Sequence, residues 1–183
     1  MHIQTHLMSG WCIGNCIRLS ARQRLMCMIA ASAADLDGLS ILGGQNAYWE
    51  WHHVLGHNLA FGLLTCIVLA ILSRANFAVF LLYLALFHLH LVMDFFGSGP
   101  GWPICYFWPF SHWSPDNRRW GWAFYSWQNI STALALLVWT IGIAVHAGRT
   151  PLEAIMPNLD RQLVSWLRAK FGRVVPLGQG SLR

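Results

Sequence analysis

Three apolar runs, at residues 58–73, 75–93 and 129–147, contain no Asp, Glu, Lys or Arg. Each approaches the ~20 residues that a helix needs to cross the hydrocarbon core of a bilayer. Charged residues make up 10% of the 183-residue chain and hydrophobic residues 56%, whereas a soluble domain carries about 25% charged residues. A chain this poor in charge lacks the polar surface to stay dissolved. The expected fold class is therefore all-α, an integral membrane helical bundle.

Periodicity and turn residues predict about five helices, near 5–18, 22–35, 53–73, 75–95 and 123–147. The Gly-rich stretch DGLSILGGQN links the second helix to the third, and Ser73–Arg74 forms a tight turn between the third and fourth. Between helices 4 and 5 runs a long loop, FGSGPGWPICYFWPFSHWSPDNRRWGW, whose Gly, Pro and Trp content forbids regular helix. Residues 1–150 thus form the membrane bundle, and 151–183 a basic amphipathic tail with a candidate helix at 158–172. In that tail Leu159, Leu163, Leu167, Phe171 and Val174 recur at helical spacing among Arg161, Arg168, Lys170 and Arg173. The pattern is that of a helix lying in the membrane interface.

The net charge of +5 does not point to nucleic acid, because the basic residues sit at helix ends and in the tail. Arg18, Arg22, Arg24, Arg74 and Arg149 fall on one side of an alternating bundle, together with the tail. By the positive-inside rule that side, and the C-terminus, is cytoplasmic; Arg118 and Arg119 lie on the other. The first residues lack Lys, Arg and a small-residue cleavage site, so they do not read as a removable signal peptide. The five cysteines include no CxxC pair, which argues against a thiolate zinc site or a disulfide framework.

The few acidic residues are then informative. Asp35 and Asp37 close helix 2, Asp94 closes helix 4, and Glu50 precedes the cluster WHHVLGHN at 51–58. His6 starts helix 1, His52, His53 and His57 start helix 3, and His90 stands one turn before Asp94. Alternating helix direction puts all these positions at one end of the bundle, a convergence that apolar packing does not require. Imidazole and carboxylate without thiolate suit Zn²⁺, Mn²⁺ or Fe²⁺. His6, Asp35, Asp37, His52, His57, His90 and Asp94 are the candidate ligands. They exceed the four or so of a single tetrahedral zinc, so two ions are expected. His88, His112 and His146 read as packing or helix-end residues. His52 and His57, five apart, would diverge by about 140° on a continuous helix. They can meet if helix 3 begins after His52.

These motifs resemble those of the bacterial membrane-bound metal-dependent hydrolases, also described as LexA-binding, inner-membrane-associated hydrolases. Thr5-His6 with Gly10 resembles that family's first element, and ADLD at 34–37 its PDxD. HHVLGHN at 52–58 resembles HRGxTHS, HLVMD at 90–94 resembles HxxxD, and GPGWPICYFWPF the trailing Pro-rich aromatic loop. The chain departs from the pattern at Ala34 (Pro in the family), His53 (Arg), Gly56 (Thr) and Asn58 (Ser). None of these removes an expected ligand, and His53 and Asn58 fall where groups supporting the ligands are expected. The order of the motifs has a looser similarity to zinc-dependent phospholipase C.

The expected function is a membrane-bound hydrolase with a zinc-type, two-ion centre at the non-cytoplasmic face of the inner membrane. Asp35, Asp37 or Glu50 would take a proton from water. The Trp-rich loop (Trp102, Trp108, Trp113, Trp120, Trp122) suits a lipid or amphiphilic phosphoester substrate or a structural aromatic belt. The competing expectation is a non-catalytic protein, with a structural metal or a metal- or proton-transport role.

Overall fold

The computed structural model describes residues 1–172, with no strand among them. The elements in order are α1 (Ile3–Gly14), α2 (Ala21–Ala30), a 3₁₀ segment (Ala33–Gly43), α3 (Gln45–Trp51), α4 (Leu59–Ser73), α5 (Phe77–Gly97), α6 (Trp127–Ala147) and α7 (Pro157–Phe171). α5 and α6, each of 21 residues with mean hydropathy 1.9, are long and apolar enough to cross a membrane. α2 with the 3₁₀ segment passes the same test as one span bent by 52°. α1, at 12 residues, is only about 18 Å long at 1.5 Å per residue.

Local chemistry sets most boundaries. Ser20 and Gln23 form a reciprocal capping box at the start of α2, satisfying backbone donors that a helix N-terminus leaves unpaired. Asn58, Asn76 and Ser126 cap α4, α5 and α6 through their side chains. Arg74 (φ 51°) and Gly148 (φ 69°) end α4 and α6 in the left-handed conformation that stops a helix. Pro157 opens α7, where its missing N–H costs nothing.

Three expectations need correcting. Helix 2 does not run to residue 35 but yields at Ala30 to the 3₁₀ segment, which also takes up most of the presumed connection DGLSILGGQN. The i, i+3 repeat of that segment aligns Leu36, Leu39 and Leu42 on an exposed edge while Ala34 and Asp37 turn inward. The rest of that connection opens α3, which periodicity missed. Helix 3 starts at Leu59 rather than 53, so the whole histidine cluster lies in the turn before it. Finally, Leu167 does not face away from the protein: α7 buries Asp160, Val164 and Leu167. Arg173 and Val174 lie outside the described residues.

α5 contributes more buried residues to the main core than any other element. Its Tyr83, Leu86, Phe87 and Leu91 pack with Cys27 and Ala30 of α2, Ala31 just after it, Ala34 of the 3₁₀ segment, and Cys66 and Leu69 of α4. α1 fits between α2 and α6, and small residues let it approach. A Cβ on Gly10 would stand 2.5 Å from the Cys27 carbonyl oxygen. At the far end, buried Arg24 bonds both carboxylate oxygens of Glu153 (2.5 and 2.9 Å) and so ties the start of α2 to the segment before α7.

The long loop after α5 is held by buried amides. Asn117 donates to the carbonyls of Phe95 (2.9 Å) and Gly99 (3.0 Å) and accepts from the Gly101 N–H (2.7 Å). Asn129 donates to Gly97 and Phe124 (2.8 Å each) and accepts from the Trp122 indole (2.7 Å). These bonds fix the loop over the end of α5. Gly10→Ala should part α1 from α2 and lower stability by about 2 kcal/mol, the usual scale of overpacking. A thermal midpoint in detergent equal to that of the unaltered protein would refute the close-packing role.

Candidate metal centre

Asp94 stands about one turn from the end of α5, 1% exposed, on the side facing α1, the 3₁₀ segment and the turn at 52–58. An isolated carboxylate there would be very costly to ionise, so its partners define the site. Its Oδ1 lies 3.1 Å from His6 Nε2 and also takes the Met1 amino group. Its Oδ2 lies 3.1 Å from both His57 Nε2 and His90 Nε2, and His53 Nε2 is 3.8 Å away. The His57 and His90 Nε2 atoms are themselves 3.1 Å apart.

The hydrogens of these rings can be assigned from their other nitrogens. His90 Nδ1 lies 2.8 Å from the Ala31 carbonyl, which only accepts, so Nδ1 carries the hydrogen. His57 Nδ1 donates likewise to Asp37 Oδ2 at 2.8 Å. In their neutral forms both rings therefore present bare Nε2 lone pairs toward each other and toward Asp94 Oδ2. Like-signed lone pairs at 3.1 Å repel unless a positive charge sits among them. Without another cation that charge is a proton. Burial disfavours it, but Asp37 and Asp94 outweigh burial and raise His57 to about 9. His53 moves the other way, well below the ordinary histidine value, through burial and the neighbouring His57 charge.

The donor geometry suits a metal equally. Bonds of about 2.0–2.1 Å to a tetrahedral zinc place ligand atoms about 3.3 Å apart. The triangle of His57 Nε2, His90 Nε2 and Asp94 Oδ2 has edges of 3.1 Å. Three overlapping groups bring ligand atoms within 4.8 Å of one another: His6, Asp35, His90 and Asp94; His53, His57 and Asp94; Asp37, His52 and His57. Asp94 is shared by the first two and His57 by the last two. A carboxylate or carbonyl behind the Nδ1–H of a ligating histidine fixes its tautomer and raises its basicity. Asp37 and Ala31 stand in those positions.

The site residues separate accordingly. His6, His57, His90 and Asp94 meet at the centre, and Asp35 Oδ1 is 3.7 Å from His90 Nε2 with its other oxygen buried and unpartnered. Asp37 is held apart from Asp35, as two residues on a threefold helix point about 120° apart. It is saturated, accepting from the N–H groups of His53 (3.0 Å) and Gly56 (2.9 Å) and from His52 Nδ1 (2.6 Å) and His57 Nδ1. The choice between His52 and His53 resolves into different places: His52 on Asp37, His53 aimed at Asp94. His53 reaches inward because it adopts a left-handed φ of 69°. Asn58 caps α4 and bonds the Val54 and Leu55 carbonyls, supporting the turn. Glu50 is exposed on α3, and His88 is occupied by the Leu84 carbonyl and Tyr106.

Two features escaped sequence reasoning. Trp102 stacks on His53 (4.9 Å, 26°) and Tyr48 on His52 (4.6 Å, 29°), roofing the cluster with aromatic rings. Nothing in spacing pairs either with a histidine. The second was partly legible, in the lone glycine of HHVLGHN: a Cβ on Gly56 would come within 2.1 Å of the Ala34 carbonyl oxygen and 3.2 Å of Asp37 Cγ. Ala34 and Gly56, both departures from the hydrolase pattern, thus touch each other.

A family model described as YdjM inner membrane protein matches residues 1–166. The chain belongs to this inner-membrane family. No curated protein and no solved structure matches it. The match spans every element that contributes to the cluster, from His6 to Asp94, and continues through α6 into α7.

Removing the Asp37 carboxylate leaves the His53 and Gly56 N–H groups buried without partners, at roughly 1–3 kcal/mol for such groups. Asp37→Ala should therefore destabilise the protein by about 3 kcal/mol, and Asp37→Asn by less. Equal denaturation midpoints for Asp37→Ala and the unaltered protein would show that the turn does not depend on this carboxylate.

Proposed function

We propose that this inner-membrane protein is a metal-dependent hydrolase whose His/Asp centre acts on a phosphoester or ester of a lipid-like molecule. The observation that carries the reading is the convergence of His57 Nε2, His90 Nε2 and Asp94 Oδ2 at 3.1 Å, with the Nδ1 hydrogens committed elsewhere. Divalent zinc, or Mn²⁺ or Fe²⁺, suits that donor set. His57, His90 and Asp94 would hold one ion, and His6 and Asp35 beside Asp94 would contribute to a second. A bound ion would supply Lewis acidity and lower the pKa of a water molecule.

The chain's own residues would do the rest. Asp37 and the Ala31 carbonyl orient His57 and His90. Asp35 is the best placed of the three acidic candidates to take a proton, since one oxygen is buried and unpartnered whereas Asp37 is saturated and Glu50 is exposed on α3. The roof of Trp102, Tyr48 and Trp49 offers apolar surface to an amphiphile. Six exposed cations gather at the opposite end of the bundle, against Arg118 and Arg119 in the loop near the cluster, and by the positive-inside rule this balance favours a non-cytoplasmic position for the centre.

Purified protein should carry at least one equivalent of transition metal. Asp94→Ala should lose it, and His88→Ala should keep it, because His88 bonds only Leu84 and Tyr106. Metal content unchanged by Asp94→Ala would overturn the metal reading. Metal-loaded protein should release phosphate or alcohol from a panel of phospholipids and amphiphilic phosphoesters, and a chelator should abolish this. Bound metal without turnover on that panel would favour a structural or transport role. Asp35→Asn should retain metal but lose about 10²–10⁴-fold in rate, the usual contribution of a general base. Full activity in that variant would remove Asp35 from the mechanism.

A further inference from the structure

The end of the molecule away from the cluster has a charge distribution that the hydrolase reading does not use. The start of α2, the end of α4, the end of α6 and all of α7 meet there. Ser73 bonds Tyr83 (2.9 Å), Tyr83 reaches the Gln23 carbonyl (3.4 Å), Arg149 bonds Asn15 (2.8 Å), and Arg168 bonds the Val145 carbonyl (2.8 Å). This end includes two acidic residues, and both are withdrawn from the surface. Glu153 is bound by Arg24, and Asp160 accepts from the Thr150 N–H (2.6 Å) and hydroxyl (2.7 Å). Among the described residues, the exposed charges left at this end are all cations: Arg18, Arg22, Arg74, Arg161, Arg168 and Lys170.

α7 adds the apolar half of the pattern. Successive residues turn by 100°, so its circumference divides into three strips. Asp160, Val164 and Leu167 are buried against the protein. Leu159 (47% exposed), half-buried Leu163 and Trp166 (56% exposed) form an outward apolar strip beside them. Arg161, Gln162 and Ser165 make up a polar strip on the remaining side. Lys170 falls within the apolar strip near its C-terminal end, with its ammonium 5.9 Å from the Trp166 ring. An amphipathic lysine and tryptophan so paired can bury their apolar parts and keep the charge at headgroup level. α6, which Arg168 ties to α7, likewise exposes apolar side chains along its length, Leu134, Leu137 and Val138 among them.

We propose that α7 lies in the bilayer interface on an anionic phospholipid leaflet, with Leu159, Leu163 and Trp166 among the acyl chains and the surrounding cations against the headgroups. A soluble protein partner fits less well, because α7 is tied through Arg168 to the end of α6, a helix long and apolar enough to cross a membrane and largely unburied, which holds α7 at the bilayer surface. Pairing Glu153 with Arg24 and burying Asp160 leaves no free carboxylate at this end, among the described residues, to repel such a leaflet. The inference does not depend on the hydrolase reading.

The test uses the full chain in nanodiscs of phosphatidylcholine mixed with phosphatidylglycerol. A benzophenone amino acid is placed at 159, 163 or 166, and at 161 or 165 for comparison. After irradiation, adducts are identified by mass spectrometry. The proposal expects phospholipid adducts from 159, 163 and 166 and none from 161 or 165. Phosphatidylglycerol should be enriched severalfold among the adducts relative to the disc, an enrichment lost in R161Q/K170Q. Adducts to a second protein copy, no lipid adducts from the three apolar positions, or equal adducts from both sets would overturn it. Adducts in the disc's own lipid ratio would overturn the anionic preference.

Discussion

The Asp94 carboxylate, buried a turn inside an apolar helix, is the constraint on which the rest of the arrangement depends. A charge in such surroundings is tolerated only where donors or cations surround it, and no neighbouring residue of α5 except His90 can serve. Compensation has to come from other elements. His6 arrives from α1, His57 and His53 from the turn before α4, and each has to be aimed at the same two oxygens. The short α1 and the break between α2 and the 3₁₀ segment follow the same logic. Straight 20-residue helices in their place would carry the polar residues past the level of Asp94 into separate environments.

Asp37 is the next constraint in sequence. It is not at the centre, yet it receives two backbone N–H groups and two imidazoles. This holds the turn in which His53 takes a positive φ and Gly56 presses on Ala34. An α-helical start at residue 53 would have placed His53 and His57 on one face and left His52 behind. The observed turn instead distributes three histidines over two carboxylates, with His57 bridging them through its two nitrogens. The Asp37–His57–Asp94 chain couples the orientation of the central histidines to the packing of the 3₁₀ segment.

Much of this was legible in the sequence. Scarcity of charge gave the membrane helical class, and alternating direction correctly brought His6, Asp35, His57, His90 and Asp94 to one end. What composition could not distinguish was an α-helical from a 3₁₀ course over 33–43. The signal existed in Leu36, Leu39 and Leu42, spaced by three and all exposed, but a run of apolar residues with Gly on both sides reads equally well as a connection. The His52/His53 question was not legible at all, because its answer rests on one backbone dihedral and on a carboxylate fifteen residues upstream. The role of the Ala31 carbonyl was equally hidden, since a main-chain acceptor leaves no mark in residue types.

The two ends of the bundle solve opposite electrostatic problems with the same few acidic residues. At the cluster end, Asp35, Asp37 and Asp94 draw imidazoles and N–H groups inward, building a concentration of donor atoms in a low-dielectric setting where a cation is strongly favoured. At the other end, Glu153 is paired with Arg24 and Asp160 is buried against the Thr150 N–H and hydroxyl, which leaves the surface to arginines and lysine. Had either carboxylate stayed exposed, it would have offset the cations that orient a membrane protein. Had Asp94 been neutralised by an arginine as Glu153 is, a guanidinium would occupy the space in which three imidazoles now converge. Histidine keeps that space electronically open, because its second nitrogen can be fixed by a carboxylate or carbonyl while the first remains a lone pair. The pairing of Asp94 with histidine rather than arginine is therefore what separates an open cluster of donor atoms from a structural ion pair in this fold.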